Sequence, residues 1–147
     1  MNLLRSFFLL PLFALVLAAC GGGPAEVTIQ PVDNEMKYAQ TSFTVEAGQE
    51  VTIVFENTAT SEAMHHNVVV LTSNDDEVAN RVGQAAMTAV DTDYIPNDPA
   101  ILAHTPMSAP GETVRVSFTA PSEPGTYRYI CTYPGHYVMM QGTMTVT

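Results

Sequence analysis

Thr126-Tyr127-Arg128-Tyr129-Ile130-Cys131-Thr132-Tyr133-Pro134-Gly135-His136-Tyr137-Val138-Met139-Met140 is the stretch on which the reading of this chain turns. Its first five residues alternate with the period of two expected of a strand. Pro134-Gly135 then marks a tight turn. Gln141-Gly142 turns the chain again into Thr143-Met144-Thr145-Val146, another alternating segment. Two strands thus embrace a loop that holds a thiol, an imidazole and a thioether.

The same period recurs upstream. Val27-Thr28-Ile29-Gln30, Phe43-Thr44-Val45, Val51-Thr52-Ile53-Val54-Phe55 and Thr113-Val114-Arg115-Val116-Ser117-Phe118 all read as strands. Ala47-Gly48-Gln49 reads as the hairpin connection between the second and third of these. His66-Asn67-Val68-Val69-Val70-Leu71 is apolar on both faces and reads as an interior strand. One helix interrupts them. Asn74 is its expected N-cap, Glu77 the capping-box partner, and Val78, Val82, Ala85, Ala86 and Ala89 its apolar stripe. The helix positions of Asp75, Asp76 and Glu77 account for that acidic cluster by themselves. The proline-broken run 91–99 reads as a flap. Short, evenly spaced strands predict an all-β fold, an antiparallel β-sandwich with Greek-key connections, one inserted helix and a flap.

At 147 residues the chain is long enough for one domain with a real core. Arg5 followed by the apolar residues 7–18 reads as a signal peptide, too short to serve as a membrane span. Leu17-Ala18-Ala19-Cys20 resembles the lipobox of bacterial lipoproteins, which implies cleavage before Cys20 and its acylation. The expected organisation is therefore a lipoprotein signal peptide over 1–19, a lipidated tether over 20–26 and a folded domain over 27–147. That places the domain outside the cytoplasm, held to a membrane by lipid. The formal charge is −10, and cleavage removes Arg5 as well. Such a chain is poorly suited to nucleic acid or to anionic lipid headgroups.

Only Cys20 and Cys131 are present, and an acylated Cys20 forms no disulfide. A lone thiol in an exported domain points to metal or catalytic chemistry. A cysteine hydrolase needs an orienting partner and an oxyanion hole, and no segment supplies one. A soft thiolate beside imidazole favours copper or zinc over hard cations. The second imidazole comes from His65-His66. Neighbours on a strand point to opposite sides, so only one reaches a shared metal. His66 adjoins the apolar strand and is the expected ligand, with His65 turned to solvent. His104 lies away from other donors and reads as a surface histidine. Two His and one Cys with a weak axial Met form a mononuclear blue-copper set, and Met139 and Met140 both compete for the axial place.

Cys131-Thr132-Tyr133-Pro134-Gly135-His136, with Met140 four residues on and Gly142 beyond, resembles the copper loop of azurin-type cupredoxins. Met64-His65-His66-Asn67, Asp93-Tyr94, the run 101–105 and Gly111-Glu112 resemble azurin segments, and Tyr129-Ile130-Cys131-Thr132 resembles auracyanins, their membrane-tethered relatives. The resemblance implies a cupredoxin-like sandwich with one type 1 copper ion held by His66, Cys131, His136 and axial Met140. It implies that Asn67 ties the ligand loops together near Thr132, and that His65 offers at most a distant carbonyl. It also implies one-electron transport between redox proteins, with transient docking near His136 on a patch of Met64, Tyr133, Pro134, Val138 and Met139. The expected protein is a monomer and not an enzyme.

Two alternatives differ in their sequence signatures. A copper-handling chaperone or buffer would suit the eight methionines, which are scattered rather than grouped in a motif. A multicopper enzyme couples its blue site to another copper through a His beside the Cys, whereas Ile130 and Thr132 flank Cys131 here.

Overall fold

The computed structural model describes residues 23–147. The expected signal peptide and Cys20 lie outside the described residues. Eight strands follow in chain order: β1 Ala25–Ile29, β2 Ser42–Val45, β3 Glu50–Glu56, β4 Val69–Leu71, β5 Ile101–His104, β6 Thr113–Thr119, β7 Gly125–Ile130 and β8 Gln141–Val146. The helix α1 spans Asp76–Ala86. β1 begins two residues ahead of the first expected strand.

These strands form a β-sandwich. One sheet has the order β1-β3-β6, the other β2-β8-β7-β4-β5. The alternating apolar residues meet between them, with Ile29, Ile53, Phe55, Val70, Tyr129 and Met144 buried in one cluster. Not every ladder is antiparallel: β1 runs parallel to β3, and β2 parallel to β8. The expected hairpin at Gly48 is absent for the same reason. β2 and β3 lie in different sheets, and residues 46–49 turn a corner between them. Ala47 N donates to Thr147 O at 3.0 Å, and Gly48 takes φ +72°. Crossing between sheets lets Val45 and Val51 bury in one core from opposite layers.

β4 is an interior strand between β7 and β5. Val70 faces the inter-sheet core, while Val69 and Leu71 face a second cluster with Ala79, Val82 and Ile130. That second cluster is where α1 packs, so β4 needs apolar residues on both faces. The strand is shorter than its sequence suggests. Residues 66–68 instead pair with the segment after β5: His66 bridges Ser108, and Thr105 Oγ1 accepts from Val68 N at 3.0 Å.

The N-cap of α1 is Asp75 rather than Asn74. Asp75 Oδ1 accepts from Glu77 N at 2.8 Å, whereas Asn74 Oδ1 accepts from Arg128 Nε at 3.2 Å. Arg128 also donates to Asp76 at 2.5 Å, so β7 holds the helix start. The buried face is Ala79, Val82, Gly83 and Ala86, with Val78 partly covered. Ala85 is exposed, and Ala89 lies past the helix end. The stripe is thus rotated from the expected one, because small Ala79 and Gly83 allow close approach. The Gly83 face meets Tyr137 in the loop that follows β7.

Candidate metal centre

Three donor atoms from two distant segments of the chain converge in the core. His66 Nδ1 lies 3.1 Å from His136 Nδ1, and Cys131 Sγ lies 3.9 Å and 3.8 Å from them. All three residues are buried. A point equidistant from the corners of that triangle lies about 2.1 Å from each, against roughly 2.0–2.1 Å for a metal–imidazole bond and 2.3 Å for metal–thiolate. The donor set and spacing therefore fit one ion in trigonal N2S coordination, the type 1 copper arrangement.

Local backbone structure explains the convergence. Cys131 follows β7 directly, and its N–H donates to Met140 O at 3.0 Å. Met140 N donates to His136 O at 2.8 Å and His136 N to Tyr133 O at 3.0 Å, which closes the loop on itself. Gly135 makes the turn possible with φ +83°, a left-handed conformation favoured by glycine. His136–Val138 is a single 3-10 turn. The other arm is fixed by the His66–Ser108 bridge, with His66 N donating to Ser108 O at 3.1 Å and Ser108 N to His66 O at 2.8 Å. Asn67 joins the arms: its Nδ2 donates to Thr132 Oγ1 and its Oδ1 accepts from Thr132 N, both at 2.8 Å. Tyr38 OH donates to Asn67 O at 2.5 Å.

The electrostatics suit soft-metal binding. Burial pushes the His66 pKa down to about 4, reinforced by His136 and then His65. Burial also lowers His136. Both imidazoles are therefore neutral at pH 7, as ligation requires. Burial pushes the Cys131 thiol up to about 12, against backbone hydrogen bonding from Asn67 and Tyr133 that favours thiolate. His66 Nε2 is buried with no hydrogen-bond partner, and the ring packs edge-on to Phe55. An orphaned polar atom there carries a desolvation cost.

Met140 is fully buried in the cluster that contains Cys131. Met139, by contrast, is 69% exposed and points away from the core. Val138 is also exposed, and Tyr133, Pro134 and Met64 are half-buried around the loop. His136 retains 6% of its surface. His65 is not simply turned to solvent. Its ring stacks on Tyr133 with centroids 5.7 Å apart and an interplanar angle of 18°. Tyr133 in turn meets His136 edge-on at 4.9 Å. His104 stands exposed on β5, with Nδ1 3.1 Å from Thr105 O, apart from the donor triangle.

Two further residues, Tyr94 and Asn57, bear on the geometry of the centre. Tyr94 packs edge-on to Tyr133 at 5.5 Å from the flap. Asn57 Nδ2 donates to Met64 O at 2.8 Å and to Ser108 O at 2.9 Å, supporting the His66 arm. Asn57 opens a polar run and reads as loop; only its burial distinguishes it. Among the described residues, Cys131 is a free thiol, and no helix is long and apolar enough to cross a membrane.

Comparison with known proteins agrees with this geometry. Residues 25–147 match the model of the copper binding proteins of the plastocyanin/azurin family. Auracyanin-A of Chloroflexus aurantiacus is 39% identical, with 90% of each chain covered. The solved structure of auracyanin A, a blue copper protein from a green thermophilic photosynthetic bacterium, superposes with a TM-score of 0.78 over 85% of this chain and 100% of that one. Outer membrane protein H.8 of Neisseria meningitidis is 30% identical over 84% of this chain and 68% of its own length. With the fold, the donor triangle and the family model in agreement, the chain belongs to the plastocyanin/azurin family of copper-binding proteins.

Proposed function

We propose that this protein is a type 1 blue copper electron carrier that shuttles single electrons between redox proteins outside the cytoplasm. The observation that carries the reading is the buried triangle of His66, Cys131 and His136. When bound there, copper supplies a Cu(I)/Cu(II) couple. The protein's part is to hold three donors in a nearly fixed arrangement, which limits reorganisation as charge changes. The buried Met140 thioether would add a weaker soft donor to the three, and Asn67 and Thr132 keep the two ligand loops in register. A centre enclosed in this way leaves no open position for substrate, so the reading is of a carrier rather than an enzyme.

His136 is the port for the electron, since its edge lies nearest the solvent. Met64, Tyr133, Pro134, Val138 and Met139 frame it as a small apolar patch for brief docking by redox proteins. The carrier works as a monomer. Acylation of Cys20 would hold it to a membrane. Support comes from Leu17-Ala18-Ala19-Cys20 and from likeness to a protein named for the outer membrane. Labelling with radioactive palmitate tests the anchor, and label retained in Cys20→Ser rejects it.

The decisive experiment adds Cu(II) to the domain lacking residues 1–20 and records the visible spectrum. An intense thiolate-to-copper band is expected. Cys131→Ser and His66→Ala abolish it, and His104→Ala leaves it intact. A pale solution, or tight binding of Cu(I) alone, rejects the carrier.

A further inference from the structure

Beside the metal centre lies a second set of soft donors. Met36, Met64 and Met139 line one open groove of about 740 Å³, together with Asn34, Glu35 and Lys37. Methionine is ordinarily among the buried residues, yet Met36 is 40% and Met139 69% exposed. Methionine is unbranched and flexible, so the three thioethers can reorient within the groove they line.

The three methionines come from three separate loops, and each loop is pinned. Asn34 Oδ1 accepts from Thr60 N and from Ser61 N, both at 2.9 Å, which ties the Met36 turn to the Met64 loop. Asn57 holds Met64 O at 2.8 Å. Gln141 Nε2 donates to Tyr137 O at 2.7 Å, and Met139 N to His136 O at 3.1 Å, which fixes the third. Two of these loops also carry members of the buried triangle. Met64 precedes His66 by two residues, and Met139 follows His136 by three. Charge opposes no cation here, because Glu35 offsets Lys37 within the groove and the chain as a whole is strongly acidic. Neutral thioethers select Cu(I) over zinc, calcium or magnesium.

We propose that this groove binds a second, exchangeable copper ion as Cu(I) through Met36, Met64 and Met139, and that the buried centre is loaded from it. The loading role rests on the copper reading of that centre. In the transfer, Cu(I) leaves three neutral sulfurs for His66, His136 and Cys131. The Cys131 S–H bond breaks, its proton goes to water, and no electron is exchanged. An apolar docking patch would also expose side chains here, but leucine would serve that purpose equally. Sulfur is what the proposal requires.

The test titrates the reduced, copper-loaded protein with Cu(I) under anaerobic conditions against bicinchoninate. One further equivalent is expected. It should bind more than about tenfold more weakly in the Met36→Leu, Met64→Leu, Met139→Leu triple variant, which keeps size and hydrophobicity but removes the sulfur. The blue band of the oxidised triple variant reports that it has folded. Should it not fold, each single leucine variant is expected to weaken the second equivalent severalfold. No second equivalent, or one unchanged by the leucine variants, overturns the site. Cu(I) entry into the metal-free protein should slow about tenfold in the triple variant, and an unchanged rate overturns the loading role. Failure of the buried-centre reading looks different, since the parent protein would then lack the blue band while still binding Cu(I) in the groove.

Discussion

Asn67 and Thr132, 65 residues apart, exchange two hydrogen bonds of 2.8 Å in the buried interior. One donor is the Thr132 backbone N–H, which has no other route to satisfaction once Asn67 is removed. Asn67→Ala should therefore destabilise the metal-free domain by about 2–4 kcal/mol, one lost bond plus one orphaned donor. Thr132→Val keeps that N–H paired but takes the acceptor from the buried Asn67 Nδ2, so it should cost about 1–3 kcal/mol. Urea unfolding at constant m-value measures both. Losses well below about 1 kcal/mol in both variants would contradict a buried pair of bonds between these two residues.

Gly83 sets the spacing between α1 and the metal loop. A Cβ at this position would overlap the Tyr137 ring. Alanine normally favours a helix interior over glycine by about 1 kcal/mol, yet here the overlap wins. Gly83→Ala should lower stability by about 1–3 kcal/mol and perturb the blue band, because Tyr137 follows His136 directly. Gly83→Ala combined with Tyr137→Ala should recover part of the loss. A stabilised single variant would show that helix and loop are not in contact.

The metal-free protein should be most stable across a defined pH window. His66 has a folded pKa of about 4 against 6.5 in the unfolded chain, so the unfolded chain takes up its proton first. Stability present above pH 6.5 is lost as the pH falls toward 4, and the lowered His136 acts in the same direction. Cys131 has a folded pKa of about 12 against 9.0, so the unfolded chain loses that proton first and stability declines above pH 9.0. Denaturation midpoints between those limits should be level. A midpoint that rises below pH 6.5 would contradict the neutral, buried His66.

Copper uptake should release protons from one group. Near pH 7 both histidines are already neutral and the Cys131 thiol is protonated. Binding of Cu(II) should release about one proton per ion, and affinity should rise about tenfold per pH unit. A pH indicator in unbuffered solution counts the protons. A value near zero would mean that the thiolate is preformed, and a value near two would mean that a histidine is charged.

Tyr38 supports the centre from behind, with its hydroxyl on Asn67 O at 2.5 Å. Tyr38→Phe keeps the ring against Phe55 and Tyr129 and removes only this bond. The expected loss is about 1–2 kcal/mol in thermal unfolding, with the blue band retained. Loss of the band would instead place Tyr38 among the groups that shape the metal geometry.

Much of this protein is legible without coordinates because its signals are local. Strand periodicity at residues 51–55 and 113–118 depends on neighbours two positions apart, and the ligands Cys131 and His136 share one short loop. His66 could be chosen over His65 because alternation on an extended chain is itself local. The parallel pairings of β1 with β3 and β2 with β8 are not local. Gly48 permits either a hairpin or a corner, and what selects the corner is the burial of Val45 and Val51 from opposite layers. Asp75 displaced Asn74 as the helix cap because Arg128, 54 residues away from Asn74, claimed the Asn74 side chain. The aromatic cluster of His65, Tyr133 and Tyr94 and the groove lined by Met36, Met64 and Met139 likewise join distant segments. Which elements form and which side chains can bind a soft metal follow from short-range sterics and donor chemistry, and both are written in neighbouring residues. Which elements become neighbours emerges in the folded chain alone, because it depends on how the whole core excludes water at once.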